Sequence, residues 1–350
     1  MAMDFERQSE RIAQEGVASP FELEPSRMVA AEAGLTESTS RSPLQDSAIR
    51  FVRDKRALIS LIVFAGLFLG AFVLLPIYEH IGPVISREHG FVHVGPAQYH
   101  SPQYLDDLST DSGPSGLHWL GTDNQGRDLL ARVLAGIQVS IIVASAVVFL
   151  FDIGLGVVFG VLAGYYGGVL DTILARFTDL IFAFPGLLFA VLIAGILSDP
   201  VDSKFHLPGD ILLVSVTLGI TIWPQMARYV RGQTLQLKEQ QYIEASRTIG
   251  TSSRQIIVRH ILPNMASLIV VAATLDFATT VVNEGVLSLL GLGIRPPNSS
   301  LGLMINENLN TLPYHPFEDL LPAFTLVVIV LAFSFIGDGL RDAYDPRTKD

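Results

Sequence analysis

Residues 57–78, ALISLIVFAGLFLGAFVLLPIY, run without one charged side chain. A helix of that length, rising about 1.5 Å per residue, matches the ~30 Å hydrocarbon core of a bilayer. Five more apolar stretches follow at 137–163, 174–197, 211–226, 268–290 and 321–336. Only helices or closed barrels satisfy the backbone inside lipid, so the chain reads as an all-α membrane protein with six spans and both termini on one side. Composition agrees. Hydrophobic residues make up 49% of the 350 and charged ones 16%, and the mean hydropathy is +0.44, above the ordinary balance of a soluble domain. Cysteine is absent, which removes disulfide scaffolds, thiolate metal sites and cysteine nucleophiles. A net charge of -11 argues against nucleic acid as a partner.

Basic residues favour the cytoplasmic face, and Arg50, Arg53, Lys55 and Arg56 crowd the start of the first span. With the amino terminus inside, 18 of the 23 Lys and Arg residues are cytoplasmic, and only Arg87, Arg127, Arg132, Lys204 and Arg295 lie outside. The chain then divides into a cytoplasmic, mostly disordered tail (1–49), a first span (50–78), and an extracytoplasmic loop with a pre-helix segment (79–136). A five-helix core (137–341) follows, carrying a cytoplasmic loop at 228–264, and a short cytoplasmic tail (342–350) ends the chain. No basic start, apolar run and cleavage site open the sequence, so the first span is expected to stay as an anchor.

The cytoplasmic loop holds the most specific pattern. From Lys238 the text KEQQYIEASRTIGTSSRQIIVRHILPN reads as two short helices joined at Gly250, with Ser252 or Ser253 capping the second and Pro263 stopping it. Small side chains at Ala245, Ser246 and Gly250 let another backbone approach, while Glu244, Arg247 and Arg254 offer charge at the rim. Taken alone, the same residues also suit an Arg-rich helical loop lying on anionic lipid.

Glu244, Ala245, Gly250, Leu262 and Pro263 stand at the spacing of the EAA motif, and in this the chain resembles the permease subunits of ABC importers. Ser246 and His260 depart from the general pattern, and the RHILPN ending is similar to the dipeptide, oligopeptide and nickel branch. A second segment, HWLGTDNQGRDLLARVLAGIQVSI from His118, resembles the region before the second span in the same branch. The resemblance implies a type I (MetI-like) permease fold in a bacterial inner membrane. It also implies a coupling helix formed by Glu244, Ala245, Ser246, Arg247, Gly250, Arg254, Leu262 and Pro263. The partners implied are a second permease of similar fold, two ATPase subunits, an extracytoplasmic substrate-binding protein and a peptide cargo. No cofactor is expected in this chain, since ATP and Mg belong to the ATPases.

Several side chains need separate weighing. Gly121 and Gly126 mimic a phosphate loop, but Arg127 and Asp128 stand where Lys and Ser or Thr are required. Asp123, Arg127, Asp128 and Arg132 instead suit an ion-pair network that caps the second span. Gly156, Gly160 and Gly164 mark a close-packing face. Asp152, Asp276 and Glu284 are ionisable at membrane depth; Asp276 and Asn283 share a helix face, so Asp276, Asn283 and Glu284 are candidates for a polar translocation pathway, or Asp276 is a buried carboxylate satisfied by a neighbour. Arg176 and Asp179 suit a local pair. His89 and His93 lack a recognisable third metal ligand.

The alternative reading is a stand-alone proton- or ion-coupled secondary transporter using Asp276 and Glu284, which leaves the EAA spacing unexplained. An intramembrane hydrolase would need a nucleophile with a base or a His-Glu-x-x-His pair, and neither is present.

Overall fold

The computed structural model describes residues 43–81, 102, 110–116, 118–197 and 209–344. The tail before residue 43, most of the outer loop with His89 and His93, and residues 345–350 lie outside the described residues.

The described residues are helical apart from short connections and one isolated antiparallel bridge, Thr122 to Asp128. A short helix α1 (Pro43–Arg53) ends at Asp54, whose carboxylate accepts the backbone N–H of Arg56 at 2.9 Å and starts α2 (Lys55–Glu79). Asp128 does the same for α3 (Leu129–Tyr166) by accepting from Ala131. Then come α4 (Gly168–Phe182), α5 (Gly186–Leu197), α6 (Gly209–Lys238), α7 (Gln241–Thr248), α8 (Ser253–Leu289), α9 (Leu301–Asn308) and α10 (Pro316–Tyr344).

Five of these, α2, α3, α6, α8 and α10, are long and apolar enough to cross a membrane, and they contain five of the six expected spans. The third span differs from its reading as one straight helix. Its residues form two helices, α4 and α5, bent by 83°, the geometry of a broken span or a re-entrant loop. Pro185 sits at the break: it donates no N–H and pushes Phe184 out of the helical region, so α4 ends and α5 restarts at Gly186.

The second difference is at Pro263, which does not stop the helix after Gly250. The chain widens into π-type turns over Ile257–Ile261, with the N–H of Leu262 bonding to the carbonyl of Ile257, and then continues without interruption to Leu289. A proline in a regular helix clashes with the carbonyl four residues back, and a wider turn relieves that clash without ending the helix. The second arm of the cytoplasmic loop and the fifth span are therefore one 37-residue rod.

The interior is built by α3, α6 and α8, with α10 against α8 and α2 against α10. Gly156, Gly160 and Gly164 lie where α3 meets α6. A Cβ on Gly160 would stand 2.6 Å from the carbonyl oxygen of Ala227 and one on Gly164 2.7 Å from the Thr234 Cβ, so these three are packing residues, as their spacing suggests. Phe333 of α10 stacks on Phe277 at 3.8 Å and meets Phe64 of α2 edge-on at 4.5 Å. Large apolar side chains cover the outer faces, among them Ile62, Val169, Leu188 and Phe324. In lipid these replace contacts with acyl chains at little cost, so close backbone approach rather than hydrophobic burial holds the helices together.

Candidate functional site

Between α6 and α8 the chain forms a compact elbow. Helix α7 ends in a Schellman arrangement: the N–H of Gly250 donates to the Arg247 carbonyl and that of Thr251 to the Ser246 carbonyl, both at 3.0 Å. The motif needs a left-handed residue at its centre, and Gly250 has φ +83°. Ser252 then caps α8, its Oγ accepting the N–H of Gln255 and donating to Gln255 Oε1 at 3.1 Å. The cap is Ser252, not Ser253.

Two buried isoleucines fix the elbow to the body, Ile243 from α7 and Ile256 from α8. Tyr242 and Asn264 join the two arms, because Asn264 Nδ2 donates to the Tyr242 hydroxyl at 3.3 Å and to the His260 carbonyl at 2.6 Å. Arg247 turns back over the ring of Tyr165 at the end of α3, with its guanidinium carbon 5.3 Å from the centroid. Glu244, Ala245, Gly250, Arg254 and Pro263 are exposed, Ser246 and Leu262 half-buried. No heavy atom outside the local chain lies within 4 Å of a Cβ built on Gly250.

Sequence reasoning missed the apolar tip. Ile249 is 82% exposed, the largest exposed fraction of any large hydrophobic side chain among the described residues. Tyr242 is also exposed. Their neighbour Ile243 is fully buried, and in a helix of two turns no periodicity separates an anchoring isoleucine from a presented one.

Asp276 on α8 faces Asp152, which lies in the π-type stretch Val147–Val157 of α3, and both carboxyls are buried. Glu284 is fully buried, accepting from Ser140 Oγ of α3 and Ser288 Oγ of its own helix, each at 2.8 Å. Asn283 is half-buried. Asp276 thus meets Asp152, while Glu284 ties α3 to α8. Asp179 pairs with Arg228 of α6 at 2.7 Å, in place of the expected local pair with Arg176.

The segment before α3 holds two sets of polar contacts. Arg127 Nε and Arg132 Nη1 converge on Asp123 Oδ2 at 2.7 and 2.6 Å, and both guanidinium groups reach Glu307 Oε2 of α9 at 2.7 and 2.6 Å. Glu307, distant in sequence, completes the charge balance of an almost fully buried Arg132. Asp128 stands apart from this network. It takes His118 Nδ1 and the Tyr78 hydroxyl, each at 2.9 Å, while capping α3. Burial raises the pKa of Asp128, but the hydrogen bonds from His118, the Ala131 N–H and Tyr78 outweigh it and hold the carboxyl below the usual carboxylate value.

Residues 156–350 match the family model described as binding-protein-dependent transport system inner membrane component. Residues 42–103 match the N-terminal TM domain of oligopeptide transport permease C. Among curated proteins, the chain is 34% identical to the oligopeptide transport system permease protein OppC of Bacillus subtilis (strain 168), over 91% of this chain and 96% of that protein. It is 32% identical to the dipeptide transport system permease protein DppC of Lactococcus lactis subsp. cremoris, over 87% and 91% respectively. With the glutathione transport system permease protein GsiD of Escherichia coli O157:H7 it shares 40% identity over 72% of this chain and 80% of that protein.

Proposed function

This chain belongs to the family of inner membrane components of binding-protein-dependent transport systems, and from that membership we infer that it is the permease subunit of an ATP-driven importer of short peptides. It is a multi-pass inner-membrane protein that works with ATPase subunits and a substrate-binding protein and is itself non-catalytic. The relatives' cargoes, oligopeptide, dipeptide and glutathione, share a peptide backbone with two ionisable ends, and that is the cargo class we assign here.

The finer assembly is our reading: one second permease of similar fold, two ATPases that bind ATP and Mg, and both termini on the ATPase side. One observation supports the elbow as the coupling element. Its first arm follows directly from α6, its second is the start of α8, and the bend between them presents Ile249 to solvent. A force on α7 therefore reaches two interior helices through short connections, the one at Gly250 closed by the hydrogen bonds at the end of α7. ATP-driven closure of the ATPases would push the elbow inward, and α8 would carry that displacement past Glu284 and Asp276 to the opposite face. The two arms moving as rods would convert nucleotide-dependent closure into alternating access.

Transport by reconstituted vesicles tests the reading. Uptake of a labelled di- or tripeptide should require the second permease, the ATPases, ATP and the binding protein together. Uptake by this chain alone, driven by a proton or sodium gradient, would favour the stand-alone transporter and sink the importer assignment.

A further inference from the structure

A group of side chains at the start of α10 is used by neither the elbow nor the ion-pair network. Asp111, His315 and Glu318 each offer one ligand atom, and the three atoms lie within 4.8 Å of one another. Bonds of about 2.0–2.4 Å to a common ion place ligand atoms at most ~4.8 Å apart, so a single cation can touch all three. His315 Nδ1 is 3.7 Å from Glu318 Oε1. Asp111 is held by its backbone N–H, which donates to the Asp123 carbonyl at 3.0 Å, and the next residue, Ser112, bonds Thr122 in both directions. His315 and Glu318 are held by the first turn of α10.

The buried carboxylates point to a ligand. Glu318 is 4% exposed, and its Oε2 takes no hydrogen bond among the described residues. The adjacent Asp319 is equally buried, and neither of its carboxylate oxygens has a partner among them. Acidic residues in a first helical turn are ordinary, because the helix dipole favours them modestly. That does not solvate a buried carboxylate, which persists only if a proton or a bound cation neutralises it. Nearby guanidinium groups do not neutralise it, since Arg127 and Arg132 are committed to Asp123 and Glu307. A cleft of about 250 Å³ lined by Asp111, Thr122, Leu129, His315 and Glu318 gives an entry path.

We propose that Asp111, His315 and Glu318 bind one divalent transition-metal ion of the Zn²⁺ class, which fastens the segment before α3 to the start of α10. The imidazole selects this class over Ca²⁺ and Mg²⁺, which take oxygen ligands. Three protein ligands leave at least one position for water. The cation neutralises Glu318, whose Oε2 burial leaves unpartnered, and holds Asp111 of the segment before α3 against the start of α10.

The test uses the full-length, tag-free protein in detergent, stripped with EDTA, with Zn²⁺ as the probe. Elemental analysis after desalting should find one zinc per chain, and thermal melting should rise on zinc addition. His315→Gln and Glu318→Gln should each weaken zinc binding by about tenfold or more, at least the effect seen for outer-sphere partners of metal sites. In Glu318→Gln the melting temperature should also lose its response to zinc. Glu318→Gln removes a buried charge and His315→Gln alters a half-exposed side chain, so at least one should remain monodisperse. Retention well below one zinc per chain would overturn the proposal, as would unchanged affinity in the folded variants, which would place the zinc elsewhere. Binding of Ca²⁺ in preference to Zn²⁺ would overturn the assigned chemistry.

Discussion

The backbone N–H of Thr251 donates to the carbonyl oxygen of Ser246 at 3.0 Å, closing the end of α7 around Gly250 at φ +83°. The space around a Cβ at Gly250 is open, so the local backbone and the docked partner are the two sources of any mutational effect. Gly250→Ala should cost about 1 kcal/mol of local strain and leave coupling largely intact. Gly250→Leu carries the same strain and adds a side chain on the surface proposed to meet the ATPase. Peptide uptake and stimulated ATP hydrolysis should therefore fall to background in Gly250→Leu alone, with membrane insertion unchanged. Equal loss in both variants would mean that strain, not bulk, is responsible.

Ile249 should behave as a contact residue with no structural duty. Replacing it with Ser should shift the melting temperature of the isolated subunit by no more than about 0.5 kcal/mol of stability requires, since the side chain buries almost nothing. A truncated anchor at an interface costs about 2 kcal/mol, roughly 30-fold in affinity. Pull-down of the ATPase subunits at graded concentrations would measure that loss. Unaltered association would remove Ile249 from the interface.

Close packing between α3 and α6 can be probed at Gly160. The Cβ of Gly160→Ala would meet the Ala227 carbonyl oxygen at 2.6 Å and the Val230 Cβ at 2.7 Å, and separating the helices should cost about 2 kcal/mol. Gly66→Ala on α2 meets nothing within 4 Å and should be neutral or slightly stabilising. Thermal melts in the same detergent compare the two directly.

Asp128 sets an acid limit. Its folded-state pKa lies below the ordinary value of 3.8, so the stability it contributes is fully present above that value and is lost as pH falls through the folded pKa. Asp128→Asn keeps a side chain able to cap α3 but removes the charge that His118 meets. The variant should melt lower than the parent at pH 7, and the two should converge only as pH falls from 3.8 through the lower folded pKa. A constant difference across that range would show that geometry, not charge, carries the contribution.

The absence of cysteine makes topology directly measurable. Single cysteines at the exposed positions Gln240 and Asn310 should react oppositely with a membrane-impermeant maleimide on intact cells: Asn310→Cys labelled, Gln240→Cys labelled only after permeabilisation. Labelling of position 240 on intact cells would invert the orientation drawn from the Lys and Arg distribution.

Much of the site was legible before folding. Gly250 as the joint and a serine as the next cap follow from local chemistry, because turn and cap geometry depend on neighbours within four residues. Pro263 misled for an instructive reason. Its missing N–H predicts an end, but the chain widened its turns over Ile257–Ile261 and kept going; the wider turn moves the preceding carbonyl clear of the proline ring and keeps the rest of the helix paired. Pro185 acted as a true break, although the apolar run on both sides of it suggested one continuous span.

The amino-acid sequence by itself determined the solvent this chain folds in, five of the stretches able to cross it, the glycine face of α3 and the bent elbow. Each of these rests on apolar length, small residues at helical spacing, or a local backbone preference. Tertiary structure alone decided which charge met which. Glu307 joined Arg127 and Arg132 from about 175 residues away, Asp152 faced Asp276, Asp179 chose Arg228 over its neighbour, and Glu318 came to rest beside Asp111. Inside a bilayer-spanning protein, a polar group takes whatever partner packing brings within about 3 Å, and sequence distance does not enter that choice.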